Sequence, residues 1–424
     1  MELLSPAKSF RLGGCYLEIT SSCNLRCLHC YNESGVLQDQ IDMPTFMSII
    51  NDLPDHPDTS ITISGGEPTS HPEFWDFMEA LQKKQFGMVL VITNGTYITR
   101  EVAEKFASYK VAIQLSVNGS RAEIHDQLCG RGSFNQTMRG LKHLLNAGMS
   151  ERILIRSVLT GFNKDDIVNL LKMVAELEIP QAEIASLSNL GRSEDNKNNL
   201  YLDILEKSAL VERLERHPEV VELIDSGVKI TLPDDFTGAC PLLNGVTEDA
   251  ERIPLTPRID SSGNVFLCQL FTDAQYAIGN VNETSLSSML ESQQIVNLVK
   301  FLQVGQNYMN QCQSCIWNGT CGKGCVALAV ANGGSIQDTD GCCKVRTKYY
   351  VSELKKQKGL SAAVIPYTAD LKGGENMSYI RPIIEKASTD SMITPAACTS
   401  GFSCPKTFNC GSYSCKKNFK CGNW

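Results

Sequence analysis

No run of about 18 apolar residues occurs anywhere in the chain, which argues against a transmembrane helix. The amino terminus, MELLSPAKSFRLGG, is short and mixed and lacks the ordered basic, apolar and small-residue regions of a secretory signal. A basic surplus is missing too: the net charge is −8, and neither a nucleic-acid nor a membrane partner is expected. What remains is a globular, soluble chain, expected in the cytoplasm. Its 424 residues exceed the roughly 250 to 300 that one hydrophobic core serves, so more than one domain is expected.

Cysteine, by contrast, is abundant, with 18 in the chain. A secreted protein would oxidise them into disulfides, whereas a reducing compartment keeps thiols available for metal. Cys23, Cys27 and Cys30 stand in CNLRCLHCY with CxxxCxxC spacing. That spacing gathers three thiolates around one compact centre and leaves a four-ligand iron-sulfur cluster one ligand short. An isolated CxxC is more often a zinc knuckle or a pair of buried thiols, but zinc usually closes its shell with a fourth Cys or His at short range. His29, lying between two of these cysteines, would make a cramped chelate and is read as a loop residue. A missing ligand implies chemistry at the open iron.

The segment CNLRCLHCY resembles the cluster loop of the radical SAM enzymes, and Tyr31 matches the aromatic that follows the third cysteine in that family. The resemblance implies a 4Fe-4S cluster on Cys23, Cys27 and Cys30 whose fourth iron chelates S-adenosyl-L-methionine. One-electron reduction then yields a 5'-deoxyadenosyl radical, chemistry that belongs to the cofactor while the protein positions it. Further matches follow in order. The strand-like SITIS, Ser60 to Ser64, ends in Gly65, Gly66, Glu67 and Pro68; glycines at a strand end let backbone approach a ligand, and in the family this segment lies along the methionine amino group. Met88 to Thr93 ends in Asn94 and Gly95, and Val111 to Val117 carries Ser116 with Asn118 beyond it. Asn118 stands where the family often has Asp, and an amide can still bond a ribose hydroxyl. Arg156, in ILIRSVL, is read either as a partner of the cofactor carboxylate or as an outward or core-edge arginine. His125 is read as structural or as a substrate contact. Gly191 and Arg192 match the end of the family's sixth strand. No catalytic side chain is assigned.

Strand and helix signals alternate through this half, with helices expected over 43–52, 73–83, 101–109, 135–147 and 165–177, several with a Pro, Ser or Asp start signal. Alternating βα units imply a parallel sheet with helices outside and ligand groups at the strands' carboxyl ends. Six such units fit between Gly14 and Leu190. The expected fold is therefore α/β, a partial (βα)6 TIM-like barrel open on one side.

A second cysteine constellation follows. Gly263 to Cys268 gives G-x4-C, Cys312, Cys315, Cys321 and Cys325 give C-x2-C-x5-C-x3-C, and Cys342 and Cys343 lie beyond. This resembles the SPASM extension of radical SAM peptide-modifying enzymes, with a structural zinc ribbon as the plainer alternative. The resemblance implies two auxiliary 4Fe-4S clusters, three clusters in all: one on Cys312, Cys315 and Cys321 with Cys342 or Cys343, the other on Cys240, Cys268 and Cys325. Many family members add a cysteine between the first two of these; none lies between Cys240 and Cys268 here, so the second auxiliary cluster is expected to have an open iron able to bind and deprotonate a substrate thiol. Gln269 follows Cys268 where some relatives carry an acid, and no general base is assigned to it. Cys15 and Cys129 are read as core thiols.

From residue 358 the chain changes in kind. A linker over 358–376 is followed by a leader-like stretch, 377–396, and a cysteine-rich segment, 397–424. Cys398, Cys404, Cys410, Cys415 and Cys421 recur, the last four each preceded two places earlier by Phe402, Phe408, Tyr413 or Phe419. From Met377 onward six bases face two acids, a charge of +4, which leaves −12 for the rest; opposite fields favour docking. The segment resembles a ribosomally made precursor peptide. KGGENM, Lys372 to Met377, is what a purine-rich ribosome-binding run and a start codon would encode, so a fusion of adjacent reading frames is expected. The expected domains are 1–200 barrel, 201–235 bridge, 236–357 SPASM extension, linker and peptide. The expected activity is thioether formation by the radical SAM maturase on this cysteine-rich precursor peptide, in cis or in trans, with electrons from a low-potential donor such as a flavodoxin or ferredoxin; carbon-carbon cross-linking or residue oxidation is the alternative within enzymes, and a non-catalytic iron-sulfur electron-transfer scaffold the alternative outside them. Only about twenty residues precede Cys23, too few for an amino-terminal leader-binding domain. Leader recognition is expected in Tyr201 to Gly227, or is replaced by the tether.

Overall fold

The computed structural model describes residues 10–32, 34–233, 253–292, 295, 311–318, 321 and 324–357. Cys240, the linker and every cysteine of the 398–421 repeat lie outside the described residues. Those up to 295 belong to one compact unit and those from 311 to 357 to a second.

In the first unit six strands, β2 (Gly14–Thr20), β3 (Ser60–Gly65), β4 (Met88–Thr93), β5 (Ala112–Ser116), β6 (Ile153–Leu159) and β7 (Gln181–Ser186), pair in parallel in chain order. They are the six expected strands. Every residue of β2 is buried, as befits a parallel strand covered on both faces. The helices α1 (Met43–Asp52), α2 (Phe74–Gln82), α3 (Arg100–Ser108), α4 (Ala122–Cys129), α5 (Ser133–Asn146) and α6 (Ile167–Glu176) alternate with them. Start signals read from sequence do their physical work: Asp42 accepts the Thr45 N–H at 2.9 Å with Pro44 in the first turn, satisfying a donor that has no intrahelical partner. Phe46 of α1 stacks on Phe77 of α2 at 4.2 Å between ring centres, joining two neighbouring helices in one apolar layer. α4 was not expected as a helix.

The sheet extends past the expected six strands at both edges. β8 (Lys229–Thr231) adds in parallel to β7. At the other edge β10 (Arg258–Ile259) lies parallel to β2 and starts an antiparallel meander with β11 (Asn264–Phe266) and β12 (Gly279–Asn280). The order is β12-β11-β10-β2-β3-β4-β5-β6-β7-β8 among the described residues. A separate pair joins β1 (Phe10–Leu12) to β9 (Ile253–Leu255). The region after 253 thus continues the barrel sheet, although the sequence suggested a new domain from residue 236. Among the described residues no helix is long and apolar enough to cross a membrane.

The second unit contains helices Val326–Ala331 and Cys343–Gln357, and Leu354 of the latter forms a small core with Ile316 and Trp317, against which Cys315 and Cys321 pack.

Candidate active site

A cleft opens at the carboxyl ends of the barrel strands. Cys23, Cys27, Cys30 and Tyr31 line it from the loop after β2, Gly65 and Gly66 from β3, Asn94 from β4, Ser116 and Asn118 from β5, and Arg156 from β6. The predicted cofactor residues therefore converge, with two exceptions. Glu67 and Pro68 are absent from the cleft wall. Glu67 is fully buried and turns inward, accepting Thr93 Oγ1 at 2.7 Å, the Asn94 N–H at 2.8 Å and both the N–H and hydroxyl of Thr69. It is a peg between the ends of β3 and β4, and its carboxylate is already engaged by four protein donors.

The two glycines are required by close approach. A Cβ on Gly65 would lie 2.2 Å from Thr20 O, and one on Gly66 2.0 Å from Ser22 O. Gly65 also has φ +136°, a conformation that side chains oppose. This contact presses the glycine loop onto the chain entering the cluster loop. Asn94 completes the join, donating from Nδ2 to Asn24 Oδ1 at 3.0 Å.

The cluster loop is fastened from both ends of the barrel. Arg192 donates from Nε to Cys27 O at 3.0 Å and from Nη1 to Ser34 O at 2.9 Å. Gly191 packs against Cys30 and Tyr31 so tightly that a Cβ would lie 2.6 Å from Tyr31 O. On the far side Tyr31 donates to Glu18 Oε1 at 2.8 Å. Arg258 of β10 grips the same carboxylate with Nε at 2.9 Å and Nη2 at 2.7 Å, while Tyr16 Oη stands 3.0 Å from Tyr31 Oη and 2.8 Å from Ser64 Oγ. Sequence reading missed this network, because Glu18 and Arg258 are neighbours only through the β2–β10 register.

Arg156 lies 3.6 Å from Glu183, its partner across the β6–β7 register. It faces the cleft, so the outward reading fails. Asn118 is held by the protein on three sides: its N–H donates to His125 Nδ1 at 3.1 Å, its Oδ1 accepts the Val158 N–H at 2.9 Å, and its Nδ2 donates to Cys129 Sγ at 3.4 Å. His125 is therefore structural in its Nδ1, while its Nε2 is buried without a protein partner among the described residues. Burial pushes His125 down to about 4, and burial with the nearby His125 and Arg192 does the same to His29, so both rings are neutral at pH 7.

Cys129 is buried, as expected of a core thiol, yet its sulfur is not remote: Cys27, His29 and Cys129 each place a ligand atom within 4.8 Å of the others. Cys23, Cys27 and Cys30 do not converge so closely. The donor set fits a cluster: three thiols share one cleft, the Leu25 N–H donates to Cys23 Sγ at 3.4 Å, and the buried His29 Nδ1 and His125 Nε2 have no partners among the described residues. Burial pushes the Cys23 thiol up to about 12, and a hydrogen bond that the Cys27 thiol donates to Cys129, together with burial, raises Cys27. Iron must therefore displace protons as it binds. Gln269 reaches the cleft from the SPASM side, and an amide there offers hydrogen bonds but no acid-base chemistry.

In the second unit Cys312 and Cys342 are buried, Cys315, Cys321 and Cys325 partly so, and Cys343 is exposed. Burial raises the Cys315 thiol, and the neighbouring Cys321 and Cys343 raise it further.

Comparison with known proteins agrees with this geometry. Residues 17–174 match the radical SAM superfamily and residues 257–316 an iron-sulfur cluster-binding domain, SPASM. The chain is 30% identical over 330 residues to the mycofactocin maturase MftC of Mycobacterium ulcerans, spanning 77% of this chain and 86% of the relative. It is 27% identical over 319 residues to AlbA, the antilisterial bacteriocin subtilosin biosynthesis protein of Bacillus subtilis, over 73% and 66%. Streptococcus suis SuiB bound to S-adenosylmethionine shares the fold at TM-score 0.61 and 17% identity, over 78% of this chain and 76% of that one. S-adenosyl-L-methionine and 4Fe-4S clusters are accordingly its cofactors. The chain is an enzyme and belongs to the radical SAM SPASM peptide maturases.

Proposed function

We propose that this maturase installs thioether cross-links from the cysteines of a ribosomally made peptide, and that the peptide is its own carboxyl-terminal segment. The observation that carries the reading is the repeat Cys398, Cys404, Cys410, Cys415 and Cys421 with an aromatic two places before each of the last four, in a basic segment behind an acidic enzyme. MftC and AlbA are named as a maturase and a bacteriocin biosynthesis protein, and SuiB has been solved with its precursor peptide SuiA. A covalent tether raises effective concentration to roughly millimolar for a short flexible linker, so weak recognition suffices.

Cys23, Cys27 and Cys30 would hold the first cluster, with the backbone of Gly65 and Gly66, Asn94, Ser116, Asn118 and Arg156 around S-adenosyl-L-methionine. When bound, the pair supplies a carbon radical able to take hydrogen from a substrate carbon. The residues of the chain do the rest. Arg192 and Gly191 fix the loop, Glu67 holds the glycine turn in place, Arg156 offers a cation beside Glu183, and neutral His125 offers a buried N–H. Holding sulfur and target carbon in one geometry is worth several kcal/mol of barrier, up to about 7 to 11 when ideal. Cys312, Cys315 and Cys321 with Cys342 or Cys343 would hold one auxiliary cluster. Cys240, Cys268 and Cys325 would hold the other, with an iron open to a peptide thiol, and a low-potential flavodoxin or ferredoxin would deliver electrons in a reducing cytoplasm.

Anaerobic turnover followed by tandem mass spectrometry of the tail tests the reading. Each thioether removes two hydrogens and blocks one thiol toward alkylation. Loss of two hydrogens with every thiol still alkylated would refute thioether formation and favour carbon-carbon bonding at Phe402, Phe408, Tyr413 or Phe419. Absence of S-adenosyl-L-methionine cleavage would refute catalysis altogether.

A further inference from the structure

The second compact unit contains a buried ion pair for which neither the peptide chemistry nor the ligand sets above has a use. Asp340 and Arg346 face each other with side chains 2% and 4% exposed. Arg346 Nη1 donates to Asp340 Oδ1 at 2.8 Å, and Nη2 donates to Oδ2. The same carboxylate accepts the N–H of Cys325 at 3.0 Å and that of Cys342 at 3.1 Å. Gly324 is pressed against it, since a Cβ there would lie 2.5 Å from Oδ2. One carboxylate thus fixes the backbone at cysteines assigned to two different auxiliary clusters.

A buried ion pair is weak evidence of stabilisation, because apolar residues of similar volume often serve as well. Its retention here has a second explanation in the remaining donor. Arg346 Nε–H is buried and has no protein partner among the described residues, and neither has the Trp317 indole N–H. A buried donor left unpaired is costly. Both lie among thiols: the Arg346 guanidinium is within electrostatic reach of Cys342 and Cys321, and Cys315 and Cys321 pack against the core that contains Trp317. Cluster sulfur is an acceptor that both donors lack among the described residues.

We infer that Arg346, aimed by Asp340, donates its Nε–H to sulfur of the auxiliary cluster on Cys312, Cys315 and Cys321 and raises that cluster's reduction potential. The inference rests on the auxiliary-cluster reading above. Hydrogen bonds to cluster sulfur stabilise the more negative, reduced state and so favour electron uptake. Because Asp340 offsets the guanidinium charge, the effect is local donation rather than a long-range field. Asp340 is the positioning residue, holding the guanidinium, and Arg346 acts on the cluster without touching substrate.

The test uses the full chain carrying Cys23→Ala, Cys27→Ala and Cys30→Ala, so that only auxiliary iron reports. It is reconstituted anaerobically, its iron and sulfide are counted, and it is titrated with a low-potential reductant under electron paramagnetic resonance. Arg346→Lys keeps a cation and lacks Nε–H; Asp340→Asn with Arg346→Gln replaces the pair by neutral amides and leaves no unpaired buried charge. The expected result, in whichever variant keeps its auxiliary iron, is at least tenfold weaker one-electron reduction of one cluster, about 59 mV more negative, with the other cluster unmoved. Unchanged potentials at full iron would overturn the inference. Loss of auxiliary iron from both variants would also overturn it and make the pair a structural clamp. Absence of auxiliary iron from the parent triple variant would refute the auxiliary-cluster reading itself.

Discussion

Glu18→Gln keeps the shape of the side chain and removes its charge, which makes it the sharpest probe of how the SPASM strands hold the cluster loop. Glu18 and Arg258 are each 4% exposed at the side chain, and the guanidinium binds both carboxylate oxygens. Removing one partner of such a pair strands a buried cation, at a cost of about 3 to 5 kcal/mol. At 1.4 kcal/mol per tenfold, that is roughly two to three and a half decades in the local opening equilibrium. The Tyr16 N–H reports it directly, because it donates to Pro257 O at 2.8 Å across the β2–β10 junction. Native-state hydrogen exchange should therefore speed up at Tyr16 by about a thousandfold in Glu18→Gln. Tyr31, bonded to Glu18 and adjacent to Cys30, should lose anchorage, so the variant should also release iron from the first cluster faster under chelator. Glu18→Leu combined with Arg258→Met leaves no stranded charge and should cost less than either single change. Exchange at Tyr16 within a factor of about five of the parent, or a double variant as damaged as the singles, would refute the reasoning.

Gly66→Ala should abolish S-adenosyl-L-methionine binding by equilibrium dialysis and lower the melting temperature, because its methyl would meet Ser22 O at 2.0 Å and backbone cannot yield as a side chain can. Glu67→Gln places an amide N–H₂ among four donors, so urea unfolding should show a loss of about 1 to 3 kcal/mol. His125 has a folded pKa lowered to about 4; between about pH 6.5 and 4 the unfolded chain binds a proton that the folded one refuses. Stability should therefore fall as pH drops through that window, and His125→Asn should flatten the slope relative to the parent in paired denaturation series. Cys342→Ser should remove the iron of one auxiliary cluster, whereas exposed Cys343 should tolerate serine, as counted by iron analysis.

Much of the site was legible because its signals are short-range. CxxxCxxC, GGEP and the strand-end Asn94 each declare themselves within a few residues, and caps such as Asp42 fix helix starts by a bond to Thr45 three places on. The helix α4 was hidden: Arg121 gives it no side-chain cap, and the turn to α5 is instead tied by Asp126, which accepts the N–H groups of Gly132 and Phe134. Glu67 reads as a ligand contact from its place in GGEP, and only the position of Thr93 shows that it points inward. Cys129 reads as one more apolar core residue until α4 brings its sulfur to Cys27.

The sequence by itself determined the cofactor chemistry, since ligand type and spacing decide which metal centre can assemble. It determined the six βα units too, because a hydrophobic period of two or of 3.6 is written in adjacent residues. Tertiary structure alone decided what those units hold. Pairing of Tyr16 with Arg258 in the β2–β10 register brings a cation onto Glu18 from far along the chain, and the Asp340 carboxylate joins Cys325 to Cys342 and Arg346. Contacts of that kind depend on how separate segments meet and on burial, which no local pattern encodes: a one-residue slip of β10 against β2 would leave every motif intact in the sequence and turn Arg258 to the other face.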